Sequence, residues 1–427
     1  MPDKRPNVLV IMSDQHHAGV MGCAGDAVAQ TPNLDRLAAA GALFRNAYCP
    51  FPLCAPSRMA FMTAQHPFQI DCWTNETQLD SDAATFAHAL LAAGYETVLA
   101  GRMHFVRHDQ RHGFVRRLIG DVQESAHLAA GWKLDRVLGD LRDTCGCGQN
   151  SIIKSGPGRT GYQAYDKAVT DSAVAYLRGR RGGAGPFLLV VGFVLPHCPF
   201  VAPPEDFEAF ADRIAVEDLP QRDDAMHPAM QNWRRQSGVE QPPPIDAQWR
   251  TRAAYYGMCR LMDRNVGRIL EALRDAGLLD DTIVVYTSDH GEMLGEHGLW
   301  WKSTFYDGAC RVPLIVSRPD RATDGATVRE NVSLIDVGPT LLDLAGAAPM
   351  PAVSGSSFHS LMDGDGSWPD TAFAENLCGL GGRAAACRMV RKGQWKYNYY
   401  HGADGELFNL VEDPGERDNL WSDPACR

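Results

Sequence analysis

The chain has 427 residues, 45% hydrophobic and 22% charged, and 41 Lys+Arg against 52 Asp+Glu leave a formal charge of −11. That length allows two or three domains, or one large α/β core with a smaller appendage. The acidic balance, without any clustered run of Lys or Arg, argues against nucleic acid as a partner, and an anion would need a local pocket that reverses the global sign.

Val8 to Met12 is an apolar run of strand length that ends at Ser13, Asp14 and Gln15. Thr31 and Pro32 form an N-cap and first-turn pair for a helix with Leu34, Leu37 and Ala38 on one apolar face and Gly41 as its stop. Cys54-Ala55-Pro56-Ser57-Arg58 precedes the helix-forming stretch Met59 to Ala64. Pro56 at a first helical position would place Cys54 just before the helix N-terminus, where exposed N–H groups favour developing negative charge. Thr97 to Ala100 runs into Gly101, Arg102, Met103 and His104, and Phe187 to Leu195 runs into Pro196 and His197. Residues 200–250, with Pro203, Pro204, Pro220, Pro228 and Pro242 to Pro244, read as a long surface excursion serving as a lid or subunit contact. Met262, Val266, Ile269, Leu270 and Leu273 then repeat at helical spacing before Gly277, and Ile283 to Thr287 runs into Ser288, Asp289 and His290. Near the end, Trp395, Tyr397 and Tyr399 alternate with polar residues in the manner of a half-buried antiparallel strand.

Four near-continuous apolar runs separated by helical segments predict an α/β fold, a large mostly parallel sheet sandwiched by helices. Residues 1–366 are expected to form this catalytic domain, and 367–427 a small C-terminal α+β subdomain with antiparallel strands. Ligands of parallel sheets bind beyond the carboxyl ends of the strands, and here four such ends deliver Asp, His or Arg to one rim. No stretch has the ~18 apolar residues of a membrane span, and the N-terminus lacks the order of a signal peptide. The twelve scattered cysteines therefore read as free thiols of a cytoplasmic protein, with Cys145-Gly146-Cys147 as loop.

Cys-x-Pro-x-Arg at Cys54 to Arg58 is the sequence in which sulfatases have a cysteine oxidised to formylglycine. Around it, Asp14, Thr31-Pro32-Asn33-Leu34-Asp35, Gly101-Arg102-Met103-His104, Pro196-His197, Ser288-Asp289-His290-Gly291 and Lys302 arrive in family order. Over nearly its whole length the chain resembles a type I sulfatase of the alkaline phosphatase superfamily. Asp14-Gln15 and Asp289-His290 make it similar to the choline sulfatase and phosphonate monoester hydrolase branch.

The resemblance implies a small sulfate monoester as substrate, a formylglycine-generating maturation enzyme as partner and a homo-oligomer, while the charge balance and the lack of an apolar span predict no nucleic acid or membrane partner. It also implies one divalent metal, Ca²⁺ by family with Mn²⁺ left open by the imidazole, held by Asp14, Gln15, Asp289, His290 and the formylglycine oxygen at Cys54. An aldehyde hydrate suits this chemistry because one hydroxyl attacks sulfur and deprotonation of the other later expels sulfate. Arg58 is expected to orient the hydrate, and Arg102 and Lys302 to hold sulfuryl oxygens whose charge grows in the transition state. His104 is expected to take the proton that triggers release, and His197, with Lys302, to protonate the leaving alkoxide. Two alternatives stay open: the same site acting on a phosphonate monoester or phosphodiester, and a sulfate-ester-binding pseudoenzyme with Cys54 unmodified.

Overall fold

The computed structural model describes residues 5–122, 146–180, 185–216, 219, 226–319, 325–364, 366–380 and 383–426. Its strands run β1 (Asn7–Ser13), β2 (Ala42–Tyr48), β3 (Glu96–Gly101), β4 (Arg116–Ile119), β5 (Gly156–Pro157), β6 (Phe187–Gly192), β7 (Val201–Ala202), β8 (Thr282–Ser288), β9 (Arg311–Ser317) and β10 (Ala326–Ser333). Eight of them form one sheet in the order β10-β2-β9-β8-β1-β6-β3-β4, while β5 and β7 pair separately. Every neighbouring pair in the large sheet is parallel except the two that involve β9. The four apolar runs read from the sequence are β8, β1, β6 and β3, contiguous at the sheet centre, so their carboxyl ends open on one edge.

Both faces of these strands are covered, which is why their sequences are apolar throughout rather than alternating. Val8, Val10 and Met12 pack on one side with Phe61 and Phe86, from the helices Cys54–Thr63 and Phe86–Ala92. Leu9 and Ile11 pack on the other with Val169, Leu177, Val266 and Ile269, from the helices Gly161–Gly179 and Ile245–Asp275. Each such buried side chain contributes about 1.5–3 kcal/mol. The helix Pro32–Ala39 buries Leu34, Leu37 and Ala38 as expected. Thr31 does not cap it through its side chain; Asp263 of the 245–275 helix accepts the Asn33 and Leu34 N–H groups instead.

Two local readings change. The helix at the cysteine motif begins at Cys54 itself after an extended Leu53, so Pro56 is its third residue and Cys54 lies in its first turn. Residues 200–250 are not a bare excursion: they contain β7, the helices Pro204–Phe207 and Pro228–Gln236, and the start of the 245–275 helix. Pro204 and Pro228 open their helices and Pro244 caps the third, so these prolines mark helix starts, where a missing N–H is harmless. Pro220 lies outside the described residues. His227 stacks on Tyr400 with ring centroids 3.9 Å apart, tying this segment to the C-terminal sheet.

That second sheet is antiparallel: β11 (Thr371–Leu380), β12 (Arg383–Lys392), β13 (Trp395–Tyr400) and β14 (Glu406–Asn409), in that order. Strand β13 alternates, but its inward row is Lys396, Asn398 and Tyr400, with Trp395 and Tyr399 exposed. The burial of Lys396 is stabilised by opposite charge: its Nζ lies 2.9 Å from Asp307 Oδ1 and 2.8 Å from Glu416 Oε1. Arg311 Nε reaches Asp307 Oδ2 at 3.0 Å, and Asn398 donates to Glu406 Oε2 at 3.2 Å. This joint fastens the second sheet to the segment just beyond Lys302. Among the described residues no helix is long and apolar enough to cross a membrane, and every cysteine is a free thiol. Gly146 and Cys147 lie in a bend, and Cys145 lies outside the described residues.

Candidate active site

Register places the two rim carboxylates. Ser13 of β1 pairs with Ser288 of β8, so Asp14 and Asp289 are the next residues on adjacent parallel strands. On the other side of β1, Gly101 of β3 pairs with Gly192 of β6. A Cβ on Gly192 would come within 1.7 Å of the Arg102 carbonyl oxygen, so glycine is what lets these strand ends close up and turn Arg102 toward Asp14. Gln15 and His104 both have positive φ, 66° and 61°, a conformation that non-glycine residues rarely adopt and that concentrates at functional sites.

The ten residues singled out in the sequence are all buried, between 0 and 8% exposed, and they form one connected cluster. Cys54 Sγ lies 3.2 Å from His290 Nε2, 3.2 Å from Lys302 Nζ and 3.7 Å from Asp14 Oδ1. Arg58 donates through Nε to Asp289 Oδ2 at 2.8 Å and through Nη2 to Asp14 Oδ2 at 3.1 Å. Arg102 donates through Nε to Asp14 Oδ2 at 2.6 Å and through Nη2 to His104 Nδ1 at 3.0 Å. Both arginines are thus engaged with the rim carboxylates. Lys302 Nζ reaches Gln15 Oε1 at 2.7 Å and His197 Nε2 at 2.9 Å.

Proton positions follow from the partners. His290 Nδ1 is 3.0 Å from the Gly291 carbonyl oxygen and so donates, leaving the Nε2 lone pair facing Cys54, Asp14 and Asp289. His197 Nδ1 likewise donates to the Cys198 carbonyl oxygen at 2.7 Å, so its Nε2 accepts from Lys302. Arg102, a donor only, occupies His104 Nδ1; a neutral His104 therefore carries its proton on Nε2, which is buried without a hydrogen-bond partner.

The electrostatics are lopsided. Burial would raise the Cys54 thiol pKa, yet Lys302 and His290 hold it well below the usual thiol range. Burial also works against ionised Asp14, but the Arg102 and Arg58 guanidinium groups beside it outweigh burial and keep the carboxylate below its ordinary range. Burial alone would lower the His290 pKa, whereas Asp289 and Cys54 raise it overall. The anions that raise the His290 pKa favour a positive charge at Nε2, which a proton or a metal cation can supply. Ligand atoms of Asp14, Cys54, Asp289 and His290 all lie within 4.8 Å of one another, a spacing one ion could bridge. Two carboxylates and an imidazole suit a divalent cation of the Ca²⁺ or Mn²⁺ kind, while the Gln15 amide oxygen faces Lys302 Nζ at 2.7 Å.

Three acids escaped the sequence reading. Glu292, fully buried, accepts from Gln15 Nε2 at 2.5 Å; its place three residues after Asp289 was the available signal. Asp121 accepts the Met103 and His104 N–H groups and faces Arg102 Nη1 at 3.7 Å. It follows β4, which is too short and polar to read as a strand. Asp166 of the 161–179 helix accepts the Val194 and Leu195 N–H groups at 2.9 Å, fixing the turn before His197. A cleft of about 710 Å³, lined by Asn33, Arg36, Arg268, Thr282 and Ser317 near the amino end of β8, contains none of the rim residues. Its Arg264 and Arg268 are already paired with Asp206 and Asp171.

Comparison with known proteins agrees with this geometry. The sulfatase family model matches residues 6–347, and the model of the N-sulphoglucosamine sulphohydrolase C-terminal region matches 295–427. The chain is 33% identical to a choline-sulfatase of Rhizobium meliloti, covering 99% of this chain and 84% of that protein. It is 29% identical to arylsulfatase K of Danio rerio, covering 98% and 80%. Among solved structures, the phosphonate monoester hydrolase of Agrobacterium radiobacter superposes with a TM-score of 0.81 at 25% identity, over 99% of this chain and 92% of that one. With the family match running from the first rim strand to well past Lys302, this chain belongs to the sulfatase family.

Proposed function

We propose that this chain hydrolyses a small sulfate monoester to an alcohol and inorganic sulfate, using formylglycine formed from Cys54 and one divalent metal. The observation that carries the reading is the position of Cys54 Sγ, 3.2 Å from both His290 Nε2 and Lys302 Nζ, where an imidazole nitrogen and an ammonium meet one side chain. When present, the aldehyde hydrate supplies a nucleophile able to leave sulfur again, and the cation lowers that nucleophile's pKa and polarises a sulfuryl oxygen.

The chain's own residues account for the rest. Asp14, Asp289 and His290, with Gln15, would hold the cation, while Arg58 donates to both carboxylates and Arg102 to Asp14. Lys302 carries the proton that a leaving alkoxide needs: burial would strip it, but the nearby Asp14 carboxylate favours the ammonium. His197, accepting from Lys302 at Nε2, positions that ammonium toward the leaving oxygen. Release of sulfate requires a base. His104 can take that part through Nδ1 once Arg102 no longer donates to it, or through Nε2 once the ring proton has moved to Nδ1.

Choline sulfate, aryl sulfates and other compact esters fit the reading, supported by the choline-sulfatase and arylsulfatase relatives. Phosphonate monoester hydrolysis is the second reading, favoured by two structural neighbours of that activity at TM-scores of 0.81 and 0.82. Parallel turnover of aryl sulfate and aryl phosphonate esters by the native-host protein ranks the two. A higher kcat/KM for the sulfate ester is expected; a higher value for the phosphonate reverses the assignment. The cytoplasm as its compartment, Ca²⁺ as the resident ion and a homo-oligomeric state belong to the same proposal.

A further inference from the structure

Gln15 has a problem that a carboxylate in its place would not have. Its amide can present either an oxygen or an NH₂ group to the rim, and only the oxygen can bind a cation. The two orientations are nearly equal in shape, so something must choose between them.

Glu292 lies directly behind this amide, 0% exposed, with its Oε2 2.5 Å from Gln15 Nε2. Lys302 Nζ, which can only donate, faces Gln15 Oε1 at 2.7 Å. Turning the amide over would set two acceptors against each other at Glu292 and two donors against each other at Lys302. The second Glu292 oxygen, Oε1, accepts the Leu294 N–H at 2.9 Å and the Trp301 N–H at 2.6 Å. Both residues have positive φ, 50° and 63°, as does Ser303 at 68°, so the loop that delivers Lys302 holds several strained residues. One buried carboxylate therefore grips the Gln15 amide with one oxygen and the Lys302 loop with the other.

We infer that Glu292 is a positioning residue that orients the Gln15 amide oxygen into the metal site and registers Lys302 against it. The inference rests on the metal-dependent reading above. It assigns Glu292 no contact with substrate; its effect passes through Gln15 and Lys302.

The test measures Mn²⁺ uptake by electron paramagnetic resonance, and Ca²⁺ uptake by calorimetry, on the full-length protein. Glu292→Gln, whose side chain can turn its own NH₂ toward Gln15, is expected to weaken binding of both ions by about 10–100-fold, the usual effect of losing a partner of a metal ligand. The metal-free unfolding midpoint should stay near that of the wild type. The exchanged pair Gln15→Glu with Glu292→Gln restores one donor facing one acceptor, and a carboxylate has no wrong orientation. Uptake by this double variant is expected to return to near the wild-type level. Gln15→Glu alone sets two carboxylates against each other and is expected to bind both ions less tightly than the exchanged pair; wild-type affinity in Glu292→Gln, or equal binding by Gln15→Glu alone and the exchanged pair, overturns the inference. If Glu292→Gln does not fold, the exchanged pair decides alone: metal uptake near wild type supports the inference and its loss overturns it. A wild-type protein that takes up neither ion sinks the metal-dependent reading and this inference together.

Discussion

The rim around Cys54 and the joint around Lys396 are both buried clusters of charge, yet they are built in opposite ways. At the joint every ion has an opposite partner within 3.0 Å: Lys396 meets Asp307 and Glu416, and Arg311 meets Asp307. At the rim, three cations and two carboxylates surround a thiol, one imidazole nitrogen has no partner, and another points its lone pair at anions. Positive φ values at Gln15, His104, Trp301 and Ser303 add backbone strain there. A buried cluster whose charges pair with one another fastens the fold; one that holds strain and open valence is arranged around something it must still bind.

Substitutions can break this contrast in order of expected effect. Cys54→Ala should lower kcat/KM on the preferred ester by about 10,000-fold or more, the scale of removing a nucleophile, with little change in unfolding midpoint. Steady-state kinetics beside thermal unfolding checks it, and retained turnover would assign the chemistry elsewhere. Lys396→Met should do the reverse. It leaves Asp307 and Glu416 buried without their cation and should cost about 3–5 kcal/mol in urea unfolding, while kcat per folded molecule stays at the wild-type value. A large fall in kcat with unchanged stability would move the joint into the active site.

A pH series sharpens the same point. Burial, reinforced by Asp307, pushes Glu416 up from 4.5 to about 7 against the pull of Lys396. Its folded pKa is raised, so the folded state binds the proton more tightly than the unfolded chain. The stability this confers is complete below about pH 4.5 and is lost as pH rises through about 7. Glu416→Gln should therefore flatten the decline in unfolding free energy across that window; an unaltered slope would show that Glu416 titrates normally. Smallest of all, Trp395→Ser on the exposed side of β13 should change stability by within about 0.5 kcal/mol, in contrast to its inward neighbour Lys396.

Much of the rim was legible because its residues follow the four apolar runs, and buried parallel strands must end at a common edge. The contiguity of β8, β1, β6 and β3 was not legible, since strand order depends on crossovers that periodicity does not encode. Asp121 and Asp166 were missed for a related reason: each acts by accepting backbone N–H groups from a distant segment, and no local spacing signals that. Strand β13 shows the limit of pattern reading. The aromatic row looks like the inward face, but Lys396 can be buried because Asp307, 89 positions away, supplies its partner. The prolines of residues 200–250 suggested loop because helix starts and loops favour the same residue.

The central claim is that the rim is organised around an oxidised side chain at position 54. Peptide mass spectrometry across Cys54 to Arg58, on protein from its native host, tests it directly. The aldehyde or its hydrate is the predicted form; a fully reduced thiol at that position in catalytically active protein would contradict the account.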